Sequence, residues 1–196
     1  MAHIAFLGTG LLGGAFAQAA AQRGDTVTAW NRSADKVAAL APFGVKAAAT
    51  AADAVRGAQR VHMVLKDDAV VDAVIAAALP GLEPGAVLLD HTTTLPVLTA
   101  ARAARLAAQG VAYLHCPVFM GPAAARNAQG SMMVAGPKAL FDRVQAALAA
   151  MTTRLEYMGG RTDLAAANKL FGNAMILSVS AAMADILTLA HASDVD

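Results

Sequence analysis

The sequence has little cysteine, few aromatic residues and little charge, and each shortage excludes a class of function. Cys116 is the only cysteine among 196 residues, so an intramolecular disulfide and a cysteine-based metal cluster are excluded. Aromatic residues make up 5% and charged residues 15% of the chain, with a formal net charge of +1. Without a basic cluster or aromatic stacking platforms, nothing indicates nucleic acid as a partner.

Hydrophobic residues form 57% of the chain, which is enough to build a buried core. The first residues lack the basic segment and the long apolar segment of a signal peptide. The longest apolar candidate for a membrane span, residues 170–190, is interrupted by Asn173, several serines and Asp185. We therefore expect a cytoplasmic protein that has no membrane partner.

Short apolar segments alternate with helical patterns over the first 160 residues. The predicted strands are residues 4–7, 26–30, 61–65, 86–89, 111–115, 131–135 and 154–157. The predicted helices are residues 11–23, 33–40, 68–78 and 96–108, with another from about residue 137. This alternation predicts an α/β fold of Rossmann type, in which a doubly wound, mainly parallel sheet spans residues 1–160.

The remaining residues, 161–196, have a different pattern. Between residues 162 and 192 there is no proline and a single glycine, Gly172, so one long and largely buried helix is predicted. We interpret it as an interdomain helix that starts an all-α domain otherwise absent from the chain. Because an apolar helix needs partners on most sides, we expect a homodimer or higher oligomer through this helix.

A glycine-rich loop follows the first predicted strand and opens the first predicted helix, Gly8-Thr9-Gly10-Leu11-Leu12-Gly13. In a dinucleotide fold, the first glycine permits the turn, the second lets the backbone approach the pyrophosphate, and the third lets the helix pack closely. The free N–H groups of the helix start would face the phosphates. A glycine-rich turn without a ligand is the alternative interpretation.

The end of the second predicted strand indicates which nucleotide binds. It reads Asn31-Arg32-Ser33, with Lys36 one turn further on and no carboxylate beside the arginine. A guanidinium suits a 2′-phosphate, whereas an acidic residue would bind the ribose hydroxyl of NAD. We therefore expect NADP(H) in preference to NAD(H); the alternative is that Arg32 is a solvated loop residue.

Taken in order, these motifs resemble the β-hydroxyacid dehydrogenases, which include 3-hydroxyisobutyrate dehydrogenase and the NAD-binding part of 6-phosphogluconate dehydrogenase. The resemblance covers the whole chain. Besides the stretch from Gly8 to Arg32, it rests on Val64-Leu65-Lys66-Asp67-Asp68, Asp90-His91-Thr92-Thr93-Thr94-Leu95-Pro96, Cys116-Pro117-Val118-Phe119-Met120-Gly121 and Asn168-Lys169-Leu170-Phe171-Gly172-Asn173.

The resemblance implies a role for each motif. It places Leu65 and Lys66 beside the cofactor, and it makes Thr93 face both the nicotinamide and the substrate. The remaining implied substrate residues are Thr92, Phe119, Met120, Gly121, Lys169 and Asn173. Lys169 would be the catalytic lysine, with Asn173 as its catalytic companion.

A catalytic role for Lys169 and Asn173 is also supported by their chemistry, independently of the resemblance. Positions four apart lie on one face of a helix, so Lys169 and Asn173 can reach the same substrate. A lysine ammonium can protonate a carbonyl oxygen as general acid while a nicotinamide supplies the hydride. A solvated helix lysine is the alternative, but a charge in so apolar a helix is costly without a role. Asn173 is equally compatible with a satisfied core amide.

Two departures from the family pattern matter. The family has Ser-Gly where this chain has Phe119-Met120, and bulky side chains there argue against a small hydroxyacid. A carbonyl substrate with an apolar group is expected instead; imine reductases also depart here, but they usually lack the lysine.

Family members also continue beyond the interdomain helix, so we interpret the chain as a fragment, a proteolysed product or a protein completed by a partner.

The remaining candidates predict no further chemistry. The five histidines show no metal-ligand spacing, so no metal is expected. We interpret His91 as a satisfied loop histidine rather than a substrate contact, and Cys116 as an inert buried thiol. The sequence thus predicts an NADP(H)-dependent oxidoreductase acting on a small carbonyl or hydroxy compound. A cofactor-binding module without turnover and an imine reductase are the alternatives.

Overall fold

The computed structural model describes residues 2–195 of the chain. Its strands are β1 (His3–Leu7), β2 (Thr26–Trp30), β3 (Lys46–Ala47), β4 (Arg60–Met63), β5 (Val87–Asp90), β6 (Ala112–His115), β7 (Val118–Phe119), β8 (Ser131–Ala135) and β9 (Arg154–Gly159). Its α-helices are α1 (Leu11–Gln22), α2 (Ala34–Ala38), α3 (Ala51–Val55), α4 (Asp68–Ala78), α5 (Pro96–Ala108), α6 (Pro122–Arg126), α7 (Lys138–Ala149) and α8 (Leu164–Ala192).

The strands within residues 2–195 form one nine-stranded sheet in the order β3-β2-β1-β4-β5-β6-β8-β7, with β9 paired to β8. The first six strands are parallel, whereas β8 runs antiparallel to β6 and β7. The predicted doubly wound, mainly parallel sheet is therefore confirmed. Because the strand order reverses between β1 and β4, a crevice opens beyond the carboxyl ends of these strands.

Both faces of the sheet are covered by helices, so its central strands are apolar on both sides. In β1, Ile4 and Phe6 point into one core with α1 and α7, and Ala5 and Leu7 point into the other core with α3 and α4. This period of two explains why the strands read as continuous apolar segments in the sequence.

Among residues 2–195, four short strands and α-helices were not predicted, namely β3, α3, β7 and α6. None of them exceeds five residues, which is too short for a helical or strand period to be recognised. The start of α3 nevertheless carries a local signal, because the hydroxyl of Thr50 accepts a hydrogen bond from the amide of Asp53.

The long last helix exists, but the expectation that it is largely buried is wrong for the described chain. Only Ala165 and Ala166 of α8 are buried, where its first turns pack against β8, β9 and α5. Beyond them, Leu, Ile, Val and Met side chains are exposed as far as Leu189. By length and composition alone, α8 could also cross a membrane. The expectation that its polar residues exclude a membrane span is therefore corrected.

A fully buried arginine on α5 connects the elements that carry the site. Arg102 donates from Nε to Asp72 at 2.8 Å and from Nη2 to Asp68 at 2.8 Å, both on α4. Burial acts to lower the pKa of Arg102, yet these hydrogen bonds raise it overall, so the side chain stays charged. Its Nη1 lies 3.9 Å from the buried carboxylate of Asp90 at the end of β5.

Candidate dinucleotide-binding and active site

The glycine loop lies where β1 ends, and its three glycines meet different surroundings. Gly8 has φ +93°, and a Cβ there would overlap the carbonyl oxygen of Val64. A Cβ on Gly13 would overlap the carbonyl oxygen of Gly8. A Cβ on Gly10, in contrast, would have no atom within 4 Å. Gly8 and Gly13 are therefore required by packing, whereas Gly10 leaves open the space that a pyrophosphate needs.

The side chain of Asn31, directly after β2, holds this loop in place. The side-chain oxygen of Asn31 accepts a hydrogen bond from the amide of Thr9 at 3.0 Å, and its Nδ2 donates to the carbonyl oxygen of Ser33 at 3.0 Å. Thr9 is buried, with no partner for its hydroxyl among residues 2–195. Asn31 thus shapes the loop as well as bordering the site, a role that the sequence did not reveal.

A cleft of about 670 Å³ extends from the glycine loop along the carboxyl edge of the sheet. Most of the predicted cofactor residues line it: Gly8, Gly10, Leu11, Leu12, Asn31, Arg32, Ser33, Leu65 and Lys66. Thr9 and Thr93 do not. An apolar wall along α4 was not predicted; it is formed by Ala69, Val70 and Ala73. Their helical spacing directly after Lys66 was a usable signal.

The charged residues that line this cleft are all positive, namely Arg32, Lys36 and Lys66. Arg32 is exposed and takes part in no ion pair among residues 2–195. The cleft therefore combines an open phosphate cradle, the free N–H groups at the start of α1 and an apolar wall. These features fit a dinucleotide.

Two threonine hydroxyls, those of Thr92 and Thr93, were predicted to face the ligand from the loop after β5, and only one of them is exposed. Thr92 is buried, and its Oγ1 accepts a hydrogen bond from the amide of Leu65 at 3.0 Å, while its own amide donates to Asp90. Thr93 is exposed at the same edge of the sheet. Thr92 therefore joins the two loops, and Thr93 is the hydroxyl that a ligand can reach.

Buried imidazoles lie beneath this loop. The Nδ1 of His91 lies 2.8 Å from the carbonyl oxygen of Cys116. Because a carbonyl oxygen only accepts, His91 carries its proton on Nδ1 and donates it there. The Nε2 of His91 is therefore an acceptor, and His62 donates to it from Nδ1 at 2.9 Å. Burial lowers the pKa of His91 to about 4, and it also raises the pKa of the Cys116 thiol. The predictions of a satisfied His91 and an inert Cys116 are confirmed.

Lys169 and Asn173 lie one turn apart near the start of α8 and are both partly buried. The ammonium of Lys169 lies over the ring of Phe119, 3.7 Å from its centroid, and burial lowers the pKa of this lysine. The Asn173 side chain forms no hydrogen bond within residues 2–195, so it is not a satisfied core amide.

A Rossmann sheet with an open glycine cradle and a basic cleft defines a dinucleotide-binding domain. Residues 3–159 match the family model described as the NAD binding domain of 6-phosphogluconate dehydrogenase, and the chain belongs to this family. The resemblance noted from the motifs is thereby confirmed.

Two curated relatives and one solved structure are similar to the chain. An uncharacterized oxidoreductase of Shewanella frigidimarina is 31% identical over 163 residues, which is 81% of this chain and 56% of the relative. The 3-sulfolactaldehyde reductase of Escherichia coli is 27% identical over 98% of this chain and 65% of its own length. An imine reductase of Streptomyces aurantiacus superposes with a TM-score of 0.83 at 30% identity, covering 93% of this chain and 63% of that structure. The chain thus spans less than two thirds of these proteins.

The different surroundings of Gly10 and Gly13 predict separable effects of the same substitution. Gly10→Ala should leave the melting temperature unchanged and weaken binding of NADPH or NADH at least about tenfold, because its methyl group fills the phosphate space. Gly13→Ala should instead lower the melting temperature, because its methyl group meets the Gly8 carbonyl. Thermal unfolding and fluorescence titration at Trp30, which lines the cleft, measure both effects. Unchanged nucleotide affinity in Gly10→Ala would contradict the assignment.

Proposed function

We propose that the chain provides the cofactor site and the catalytic lysine of an oxidoreductase that reduces a small carbonyl compound with NADPH. The observation that carries this proposal is Lys169. Its ammonium is partly buried against an aromatic ring, with a lowered pKa, on the helix that follows the dinucleotide domain. A surface lysine without a role would not be expected to lose hydration in this way.

The chemistry assigned to the chain's residues is proton donation and positioning. The bound nicotinamide supplies a hydride to the carbonyl carbon. The Lys169 ammonium donates a proton to the carbonyl oxygen, so that an alcohol forms, and its lowered pKa makes this transfer easier near neutral pH. Asn173, one turn along α8, and the exposed hydroxyl of Thr93 are assigned to hold the substrate oxygen.

The preference for NADP(H) over NAD(H) rests on the charges of the cleft. Its lining carries Arg32, Lys36 and Lys66, of which Lys66 is paired with the carboxylate of Asp67 at 3.7 Å. A guanidinium can bind a 2′-phosphate through two parallel hydrogen bonds, whereas a neutral ribose hydroxyl gains little from three positive charges.

Two other functions remain as candidates, each with a specific observation in its favour. The chain spans 56% and 65% of the two curated relatives described above, which favours a cofactor-binding module whose substrate site another segment completes. The likeness to an imine reductase favours a C=N bond as the group that is reduced.

The exposed part of α8 supports a further element of the proposal, a homodimer or higher oligomer. Ile176, Val179, Met183, Ile186 and Leu187 are each more than half exposed. Such a continuous apolar surface is unfavourable in water. A second copy of α8 would cover this apolar surface, so that no membrane is needed to shield it from water.

The catalytic assignment predicts the outcome of a turnover assay. Oxidation of NADPH is followed with a panel of aldehydes and cyclic imines. Lys169→Ala should reduce kcat at least about a hundredfold while nucleotide affinity stays unchanged, because only proton transfer is lost. The exposed Lys46→Ala serves as the matched control and should retain full activity. Nucleotide binding without turnover of any compound would favour the module, and turnover of imines alone would favour the second alternative.

The nucleotide preference is tested at Arg32. Arg32→Asp should weaken NADPH binding by about tenfold to a hundredfold, since a charged hydrogen bond is lost and repulsion is added, and it should strengthen NADH binding. Lys46→Asp makes the same change of charge outside the cleft lining and should have little effect. An unchanged ratio of the two dissociation constants, measured by Trp30 quenching, would contradict the 2′-phosphate assignment.

The oligomer is tested by light scattering. The measured mass should be at least twice the 19.8 kDa of one chain, and Leu187→Glu should shift it towards the monomer by placing a charge in the α8 interface. Val97→Glu, at an equally exposed apolar residue of α5, is the control. A monomeric mass at micromolar concentration, or solubility only in detergent, would contradict the proposed assembly.

A further inference from the structure

A further cavity lies at the amino ends of β1 and β4, at the edge of the sheet opposite the dinucleotide cleft. Its volume is about 260 Å³, and its polar lining residues are Arg23, Asp25, Arg60 and His62. The remaining lining is apolar and comes from β1 and from the ends of α1 and α7. Pockets for drug-sized ligands occupy about 300–1,000 Å³, so this cavity suits a smaller molecule.

Two arginines line this cavity without using their hydrogen-bond donors. Arg23 directly follows α1 and Arg60 begins β4, and neither side chain forms a hydrogen bond or an ion pair among residues 2–195. The Nε of Arg60 is buried, so this donor has lost its hydration without gaining an acceptor. Partial burial and the nearby Arg60 lower the pKa of Arg23, although Asp25 opposes them. An anion bound by both guanidinium groups would relieve the repulsion and satisfy the buried donor.

His62 adds a buried acceptor to the same cavity. Its side chain is 1% exposed, and its Nδ1 donates to His91, so that Nε2 carries a lone pair. This Nε2 has no hydrogen-bond partner within residues 2–195. Burial, His91 and the two arginines lower the pKa of His62 well below its usual value, so the ring stays neutral. The cavity thus combines an unused acceptor with unused donors.

Negative groups at the same edge restrict what can bind. Asp25 lines the cavity, and its Oδ1 accepts a hydrogen bond from the amide of Ala2 at 3.3 Å. The helices α1 and α7 also end here, and the carboxyl end of a helix carries a partial negative charge. A ligand that offers only acceptors would satisfy the arginines but would be repelled by these groups and by the lone pair of His62. The matching ligand therefore carries a hydrogen-bond donor as well as a negative charge.

We propose that this cavity is a second binding site, for a small oxyanion that retains a hydroxyl group, such as hydrogenphosphate. We call it the amino-edge site and define it by Arg23, Arg60 and His62. The oxygens of the anion accept charged hydrogen bonds from the two guanidinium groups, and its hydroxyl donates to Nε2 of His62. The amino-edge site is separate from the dinucleotide cleft, and it does not depend on the proposed reaction.

An NMR titration tests the amino-edge site directly. The intact chain carries 15N-labelled histidine, and the Nε2 signal of His62 is assigned by its loss in His62→Gln. Phosphate at pH 8 and constant ionic strength should move this signal upfield, as an unprotonated ring nitrogen does when it accepts a hydrogen bond. Sulfate has no hydroxyl, and neither has methyl phosphate as its dianion, so both should bind at least about tenfold more weakly. Bicarbonate, which retains a hydroxyl, distinguishes a carbonate from a phosphate, and a shift with either anion supports the proposal.

Two substitutions remove the donors without removing a hydrogen bond or an ion pair of the folded chain. Arg60→Met and Arg23→Met should each raise the dissociation constant for phosphate at least about tenfold, because a charged hydrogen bond is lost. Arg56→Met, at an exposed arginine outside the cavity lining, is the control and should leave it unchanged. Without phosphate, Arg60→Met should melt at the temperature of the original chain or above it, since the buried and unused Nε is gone.

Three results would each overturn the inference: a His62 signal that is indifferent to both phosphate and bicarbonate, sulfate binding as tight as that of phosphate, or unchanged phosphate binding in both arginine variants. If one of these variants does not fold, the other supplies the comparison. The His62 signal reports on this cavity, so phosphate bound at the glycine loop does not imitate the result. The titration also needs no turnover, and failure of the proposed function would leave its outcome unaffected.

Discussion

The candidate site depends on the buried guanidinium of Arg102. Its hydrogen bonds to Asp68 and Asp72 fix the start of α4 against α5, and the nearby carboxylate of Asp90 accepts a hydrogen bond from the hydroxyl of Tyr113. A buried charge that lost these partners would cost several kcal/mol, of the order of 3–5 kcal/mol. The network therefore fixes α4 and the end of β5 relative to α5 and, with them, the loops that border the cleft.

The polar groups of the site divide into those that shape it and those that remain free. Asn31 and Thr92 are engaged with backbone amides of neighbouring loops, so they set the distance between these loops. The same edge of the sheet offers the open space at Gly10, the charge of Arg32 and the exposed hydroxyl of Thr93. A site built in this way is formed before the ligand arrives, which reduces the entropy lost on binding.

The last helix carries Lys169 and Asn173, the two residues to which we assign chemistry beyond nucleotide binding. Its first turns pack on the sheet and bring Lys169 to Phe119, whereas its later turns expose a continuous apolar surface. One element thus carries both Lys169, which we propose as the catalytic group, and the surface through which we propose that the chain associates.

The sequence by itself determined the alternating strands and helices, the glycine loop and the positive end of β2, because each is encoded in residues close together in the chain. Only the tertiary structure decided that Thr92 is buried while Thr93 is exposed, and that the later turns of α8 lie outside the core. The contact of Phe119 with Lys169 joins residues fifty positions apart, and local periodicity cannot report such a pairing. Local pattern specifies which face of an element is apolar, but packing decides what that face meets.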